Sequence, residues 1–545
     1  MNLRIIFILP VICGILIFLI AQFGFSDTLE DDAYISFRYA RNWIDGKGLV
    51  FNESEYVEGY TNLLWTVILG LLYSIGIPFE AAASIVGAIF GAILIVILPF
   101  SSKWLERNKS WQSTTWASVI LGVNIAFQAE AAMGLETIFF TFLVFCAFHF
   151  YFMELDRYSF PLSGMFLGLA IWTRPEGLWI ALYFLVFSFM QDIYSNRTFR
   201  RSITIMAITA SFAFLLFAFR YCYYGELLPN TFYAKTGGTV HQWLRGWGYL
   251  THFWEAYGYI SVFLPILICA FLFPQKNRIF FIIGFILTYF CYVVYIGGDY
   301  KPSHRFLIPV LPFLCLIWVW SIDELMHQLV KKRFSFKMES LFRFFSVGLG
   351  ITIYIILSNS RYQDVILFME ASHQKTHLDR IASSWLNQNV TPNASIATDV
   401  IGRIPFYTGL KTFDFSGLTD KHIAHIYTKD LGRGPAGHEK TDAAYIIGKK
   451  PSYILLTSIQ YTDYAHPDLR GRQVSFIESE IWKTIAFHEH YSLKSIDVTP
   501  IMHTIKADSF ETPSGRLFFN FFVRKDSQKP VIPEDIRYPS VNRSE

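Results

Sequence analysis

The 545-residue chain is 53% hydrophobic, 18% aromatic and only 16% charged, with a mean hydropathy of +0.35, which places it among membrane proteins. A net charge of +3 without a basic tail gives no footing for nucleic-acid binding. Cys13, Cys146, Cys222, Cys269, Cys291 and Cys315 all lie in or beside apolar runs with no CxxC, which argues against a disulfide-stapled domain and against a zinc or redox motif.

Residues 3–25 carry Arg4 ahead of an apolar run that is near the roughly 20 residues of a span and lacks a small-x-small cleavage site. They are expected as a retained first helix with its N-terminus in the cytoplasm. Residues 26–62 then hold eight Asp/Glu against three Lys/Arg. Residues 63–77 are apolar but short and precede Pro78. If they spanned, the basic segment Lys103, Arg107 and Lys109 would fall outside, so they are read as a helix in the outer interface. Further spans are expected over 81–100, 111–127, 137–153, 160–173, 178–191, 203–223, 256–273, 279–296, 306–322 and 344–358. Together with the first this makes about eleven. Arg157, Arg197, Arg200, Arg201, Lys276, Arg278, Lys331, Lys332, Arg333 and Lys337 then all lie inside, and 225–255 forms an outer loop.

From about residue 359 no apolar run reaches membrane length. Residues 363–389 have helical periodicity, and 394–398, 453–457 and 517–523 read as strands. The tail beyond Lys525 is rich in Pro and charge and is expected to be loosely ordered. The fold class is therefore an α-helical polytopic membrane protein with a C-terminal α/β soluble domain. Residues 1–358 form the transmembrane domain, with a first loop over 26–80, and 359–545 form a domain placed outside by the parity of the spans.

Asp31, Asp32, Arg38, Arg41, Glu58, Glu136, Arg174, Glu176, Asp299, His304 and Arg305 all fall at outer ends of spans. A charge near membrane depth costs about 2.5–3.5 kcal/mol, so several on one level suggest a polar cavity. Individually each has a plainer reading. Asp31 and Asp32 could cap a helix, Arg38 and Arg41 could pair with first-loop acids, and Arg174 with Glu176 could be an ion pair at a helix break. Collectively they suit a carboxylate acting as base on an acceptor hydroxyl while cations hold a lipid phosphate. There is no P-loop or GxGxxG, consistent with a donor that is not a nucleotide.

The stretches DDAYISFRYARN (31–42), GLVFN (48–52), VEGYTNLLW (57–65), GLET (134–137), TRPEG (173–177), LPNTFYAK (228–235), GGDY and HRF (297–306), DFSGLTD (414–420) and GHEK (437–440) resemble the GT-C superfamily of polyprenyl-phosphate-sugar-dependent glycosyltransferases. Within it they are most similar to relatives of the mycobacterial terminal β-(1→2) arabinofuranosyltransferase. The resemblance implies a GT-C membrane fold, a polyprenyl-phosphate pentose or hexose donor, inversion at the anomeric carbon and a catalytic acid at Asp31 or Asp32. For donor phosphate and substrate it points to Arg38, Arg41, Glu58, Tyr60, Glu136, Arg174, Glu176, Tyr233, Lys235, Asp299, His304 and Arg305. Asp399, Arg403, Asp414, His438 and Lys440 would dock the C-terminal domain or touch acceptor, and Trp43 could stack on a sugar. Lys301 and Pro302 in GGDYKPSHRF depart from the family pattern.

No cofactor is expected. Asp31, Asp32, Glu136 and Asp299 could assemble a divalent-cation site, but no compact ligand motif supports one. The expected partners are the lipid-linked sugar donor, a cell-envelope glycan acceptor and the bilayer of a bacterial inner membrane, with no nucleic acid. Competing readings are a polymerase or ligase acting on a lipid-diphosphate-linked glycan, and a lipid or sugar transporter. The acidic first loop disfavours the former, and the lack of internal repeats disfavours the latter.

Overall fold

The computed structural model describes residues 3–105, 111–156, 160–273, 276–330, 336–358, 363–467, 474–504 and 514–525. The basic turns expected at Arg107, Lys109, Arg157 and 331–333, and the tail after Lys525, lie outside them.

Up to Ser358 the chain is helical. Among the described residues seven helices are long and apolar enough to cross a membrane: Ile6–Gly24, Phe79–Trp104, Thr137–Leu155, Glu176–Tyr194, Arg200–Tyr224, Asn277–Ile296 and Arg305–Val330. An eighth arises if Val240–Tyr257 and Tyr259–Leu272, bent by 87° from each other, count as one.

The eleven expected spans differ from this in identifiable places. The run 111–127 is broken into Trp111–Thr114, Trp116–Gly122 and Ile125–Ala132. The expected outer loop 225–255 contains the helices Asn230–Lys235 and Val240–Tyr257. The second is amphipathic, setting Trp243, Leu244 and Trp247 outward and Tyr249, Leu250 and Phe253 inward. Gly258, at φ 80°, turns the chain into Tyr259–Leu272 through a left-handed backbone that favours glycine. Leu63–Ser74 has 12 residues, about 18 Å at 1.5 Å per residue, short of the roughly 30 Å of a hydrocarbon core.

After Gln363–Asn389, a helix with the expected bounds, six strands follow among the described residues: β1 Ser395–Thr398, β2 Lys411–Asp414, β3 Tyr453–Ile454, β4 Tyr461–Thr462, β5 Tyr491–Asp497 and β6 Phe518–Arg524. They form one mixed sheet in the order β2-β1-β3-β6-β4, with β5 also paired to β6. β1 is parallel to β2 and β3, and β6 is antiparallel to its partners. Period-two alternation splits the apolar residues between two cores. Ile396, Phe519 and Phe521 meet Trp385 and Leu386 of the long helix, while Ala397, Ile454 and Phe522 meet Ile446 and Phe487.

The two parts share apolar contacts as well. Ile401, Phe406, Leu418 and Ala424 belong to the helical core. Phe406 sets its ring edge-on against Tyr34, Phe37 and Phe79 at 5.4–5.9 Å. The helix Asp31–Ile44 is thereby wedged between the membrane bundle and the helix Arg403–Thr408.

Candidate active site

Asp31 and Asp32 open the helix Asp31–Ile44, where carboxylates in the first turn suit the exposed N–H groups. Successive helical residues diverge by roughly 100°, so the two side chains leave in different directions. Asp31 turns towards the C-terminal region. Its carboxylate accepts the backbone N–H groups of Gly402 and Arg403, both at 2.9 Å, with the Arg403 guanidinium 3.6 Å away. A Cβ on Gly402 would overlap the Asp31 carbonyl. Burial lifts the Asp31 pKa, with Arg403 pulling the other way.

Asp32 turns to the opposite side. Its Oδ2 lies 3.1 Å from Lys301 Nζ and 3.2 Å from Arg305 Nη1. Its side chain is 34% exposed, against 16% for Asp31. Burial opposes ionisation, but Lys301, Arg305 and Lys235 outweigh it and hold the carboxyl well below its ordinary range.

Around Asp32 the charges interlock. Lys301, whose side chain has no exposure, also reaches Glu30 at 3.4 Å. Arg305 pairs through Nε with Asp299, which accepts the Tyr300 N–H at 2.8 Å. Ser303 donates to Glu130 at 2.6 Å. Lys235, at the end of Asn230–Lys235, makes no hydrogen bond or ion pair with the described residues, although its charge acts on Asp32 and Asp299. Burial lowers its pKa, opposed chiefly by Asp32.

A second row adjoins the first. Glu136 accepts from Asn62 at 2.7 Å and from Arg174 at 2.6 Å, and Arg174 also reaches Glu176 at 2.8 Å. The Phe306 ring joins the rows, with the Arg174 guanidinium 5.2 Å and the Arg305 guanidinium 5.6 Å from its centroid. Residues far apart in sequence, from the first loop to 305, are thus brought together.

Other expected site residues are engaged elsewhere. Arg38 donates to the carbonyls of Phe51, Pro405 and Leu410, and Arg41 donates to that of Phe406 while covering its ring. Glu58 pairs with Arg220 at 2.9 Å, and Tyr60 shares a 3.1 Å hydroxyl contact with Tyr224. These contacts clamp the first loop to its neighbours. Tyr233 stacks on His425 at 4.4 Å, and its carbonyl accepts from Lys440. His304 sits against Tyr249 and Phe253 at 5.2 and 5.7 Å. Burial and the neighbouring His252 push its pKa down to about 4, so it carries no charge at neutral pH.

In the C-terminal region, Arg403 binds the Leu29 carbonyl, and Asp414 accepts the N–H groups of Ser416 and Thr419. Asp399 accepts from Thr457, and His438 lies 6.4 Å from the Tyr300 ring. Lys301, Glu30, Glu130 and Arg220 are parts of the arrangement that sequence reasoning did not single out as site residues. The one signal for Lys301 was its departure from the family pattern between Asp299 and Arg305.

The four acids considered for a divalent cation do not fit one. Asp31 faces 402–403, Glu136 is held by Arg174, and ammonium and guanidinium groups occupy the space between Asp32 and Asp299. No three His, Cys, Asp or Glu side chains among the described residues converge as ligands.

A family described as a domain of unknown function, DUF8728, matches residues 366–504. The chain is 25% identical over 351 residues to the terminal β-(1→2)-arabinofuranosyltransferase of Corynebacterium glutamicum, covering 54% of this chain and 48% of that protein. It is 26% identical over 339 residues to the protein of the same description in Mycobacterium tuberculosis, covering 54% and 52%. The matched part thus spans about half the length of these curated relatives. Among solved structures, the apo oligosaccharyltransferase of Archaeoglobus fulgidus aligns with a TM-score of 0.55 at 12% identity, over 84% of this chain and 69% of that one. ArnT from Cupriavidus metallidurans bound to undecaprenyl phosphate aligns with 0.48 at 12% identity, over 94% and 97%. The oligosaccharyltransferase alignment shows a shared fold.

Proposed function

We propose that this chain, which carries several membrane-length apolar helices and shares its fold with a solved membrane oligosaccharyltransferase, belongs to the GT-C superfamily and is an inverting glycosyltransferase. It moves a sugar from a polyprenyl phosphate to a hydroxyl of a cell-envelope glycan or glycolipid at the outer face of a bacterial inner membrane. In this reading residues 1–358 lie in the membrane with the N-terminus inside, and 359–545 lie outside.

The observation that carries the reading is the setting of Asp32, a partly exposed carboxylate 3.1–3.2 Å from two cations, with the ammonium of Lys235, unpaired among the described residues, nearby. The acceptor oxygen attacks the anomeric carbon on the face opposite the phosphate. The bond from that carbon to the phosphate oxygen breaks, and the polyprenyl phosphate leaves with the electron pair. Asp32 takes the acceptor proton, and Arg305 and Lys235 stabilise the departing phosphate. At rest, Lys301 and Arg305 make Asp32 a weak base. An arriving phosphate competes for both cations and so raises the basicity of Asp32. Asp31, with both oxygens held by backbone N–H groups, positions the first loop against the C-terminal domain.

The test uses the full chain in detergent with defined polyprenyl-phosphate pentoses and hexoses and envelope glycan acceptors. Asp32→Asn is expected to lower transfer by about 10²–10⁴-fold, the range for a general base, with only a modest drop in melting temperature, since Lys301 and Arg305 keep Glu30 and Asp299 as partners. Transfer at the parental rate by a folded D32N protein overturns the mechanism. Movement of the lipid across sealed vesicles without transfer would favour a transporter instead.

A further inference from the structure

Beside the Asp32 cluster lies a cavity of about 950 Å³, at the upper end of the roughly 300–1,000 Å³ of ligand pockets. Its walls come from both parts of the chain: the helix Val240–Tyr257, the loop 299–304, the start of Gln363–Asn389 and the loop 433–435. Asp299 and Lys301 belong to its wall. Lys301 is also the residue whose Nζ lies 3.1 Å from Asp32, so the cavity ends one side chain away from the candidate base.

Its charge differs from that of a phosphate site. Arg245, Lys301 and Arg433 are matched by Glu255, Asp299 and Asp364. The cations are already engaged: Arg245 by Glu439 at 2.6 Å, Lys301 by Asp32, and Arg433 by Asp430 at 3.2 Å. The groups that make no hydrogen bond or ion pair with the described residues are Glu255, Asp364 and His252. Carboxylates accept hydrogen bonds and repel anions, which suits hydroxyl donors. Tyr300, 49% exposed on the wall, offers a flat apolar face of the kind that packs on the C–H face of a sugar ring.

We propose that this cavity binds the acceptor as an uncharged oligosaccharide of more than one sugar unit. The donor phosphate approaches Asp32 from the side of Lys235 and Arg305. The proposal rests on the glycosyltransferase reading for its role and on the cavity alone for its ligand.

The test is fluorescence binding of tagged, neutral, linear tetrasaccharides, one set of pentofuranose and one of hexopyranose units, to the detergent-solubilised full chain without donor. At least one set should bind. Tyr300→Ala and the near-isosteric Glu255→Gln should each weaken binding by about tenfold, in proteins whose melting temperature matches the parent. Lys235→Ala should leave binding within about twofold, and millimolar inorganic phosphate should not displace the glycan. Lack of binding by the whole panel, indifference to both cavity variants, or displacement by phosphate overturns the proposal. Glycan binding that obeys the cavity variants, in a protein that transfers no sugar from any polyprenyl-phosphate donor, leaves this inference standing and removes the reading it rests on.

Discussion

The helical run Arg305–Val330 carries a charge cluster near each end, separated by roughly 27 Å at 1.5 Å per residue. Each pairs an arginine with aspartate and draws in a glutamate, yet one is closed and the other open. At the far end Arg343 donates to Asp323 at 2.9 Å through Nε and also through Nη2, Ser113 donates to Asp323 at 2.6 Å, and Glu339 bridges His327 and Arg343. The Arg343 and Asp323 side chains are only 6% and 4% exposed. At the near end Asp32 shares its two cations with other acids, remains a third exposed and has beside it Lys235, unpaired among the described residues. Buried charge alone therefore says little about chemistry. A group left accessible inside a paired network is the informative feature.

The comparison breaks most sharply by exchanging one acid in each cluster. Asp32→Asn should lose about 10²–10⁴-fold in transfer with little change in melting, since a general base contributes on that scale. Asp323→Ala should do the reverse. Leaving Arg343, among the described residues, with only its longer contact to Glu339 at 3.4 Å should cost up to about 3–5 kcal/mol, the range for breaking a buried pair, read as a lower melting temperature, while transfer per folded molecule stays at the parental value. A large catalytic loss in folded D323A, or a large melting loss in D32N, would erase the distinction.

Finer contrasts lie within the site. Lys235→Ala should raise the donor KM by about 10–150-fold, the loss of a charged hydrogen bond of about 1.5–3 kcal/mol, and leave Tm in place because the ammonium pairs with none of the described residues. An unchanged donor KM would remove Lys235 from the phosphate site. Asp31→Asn should cost about 1–3 kcal/mol of stability by disturbing two backbone donors, with transfer per folded molecule near parental. A D31N protein that melts normally but is inactive would move the base from Asp32 to Asp31.

The last contrast concerns pH. His304 has a folded pKa of about 4 against an ordinary value of about 6.5. Between these values the unfolded chain binds a proton that the folded chain refuses, so stability is complete above about 6.5 and declines as pH falls towards 4. His304→Gln should flatten that part of the melting curve against pH. An unaltered slope would show that His304 is not the group responsible.

Much of the architecture was legible in the sequence because apolar length and helical periodicity are local properties. The helix Gln363–Asn389 has the expected bounds, and β1 and β6 lie where apolar runs suggested strands. β2, β4 and β5 were not legible, since short strands of mixed polarity gain their identity from neighbours. β5 (YSLKSID) is recognisable only through its seven-residue pairing with β6. Val240–Tyr257 was missed because its alternation of aromatic and charged residues falls below membrane hydropathy, although it is helical throughout.

At the site, local sequence is enough to show that acids and cations accumulate at particular ends of apolar runs, and that Asp31 and Asp32 begin a stretch rich in charge. It could not divide the pair. Two adjacent aspartates are chemically equal until a helix turns them about 100° apart and different neighbours meet each one. Only tertiary structure brought Gly402 and Arg403 to Asp31, and Lys301 and Arg305 to Asp32, across more than 260 residues of chain in each case. The same packing turned His304 into a neutral ring and placed the ammonium of Lys301 against Asp32. Charge at a site depends on desolvation and on partners, and neither is written in the local sequence.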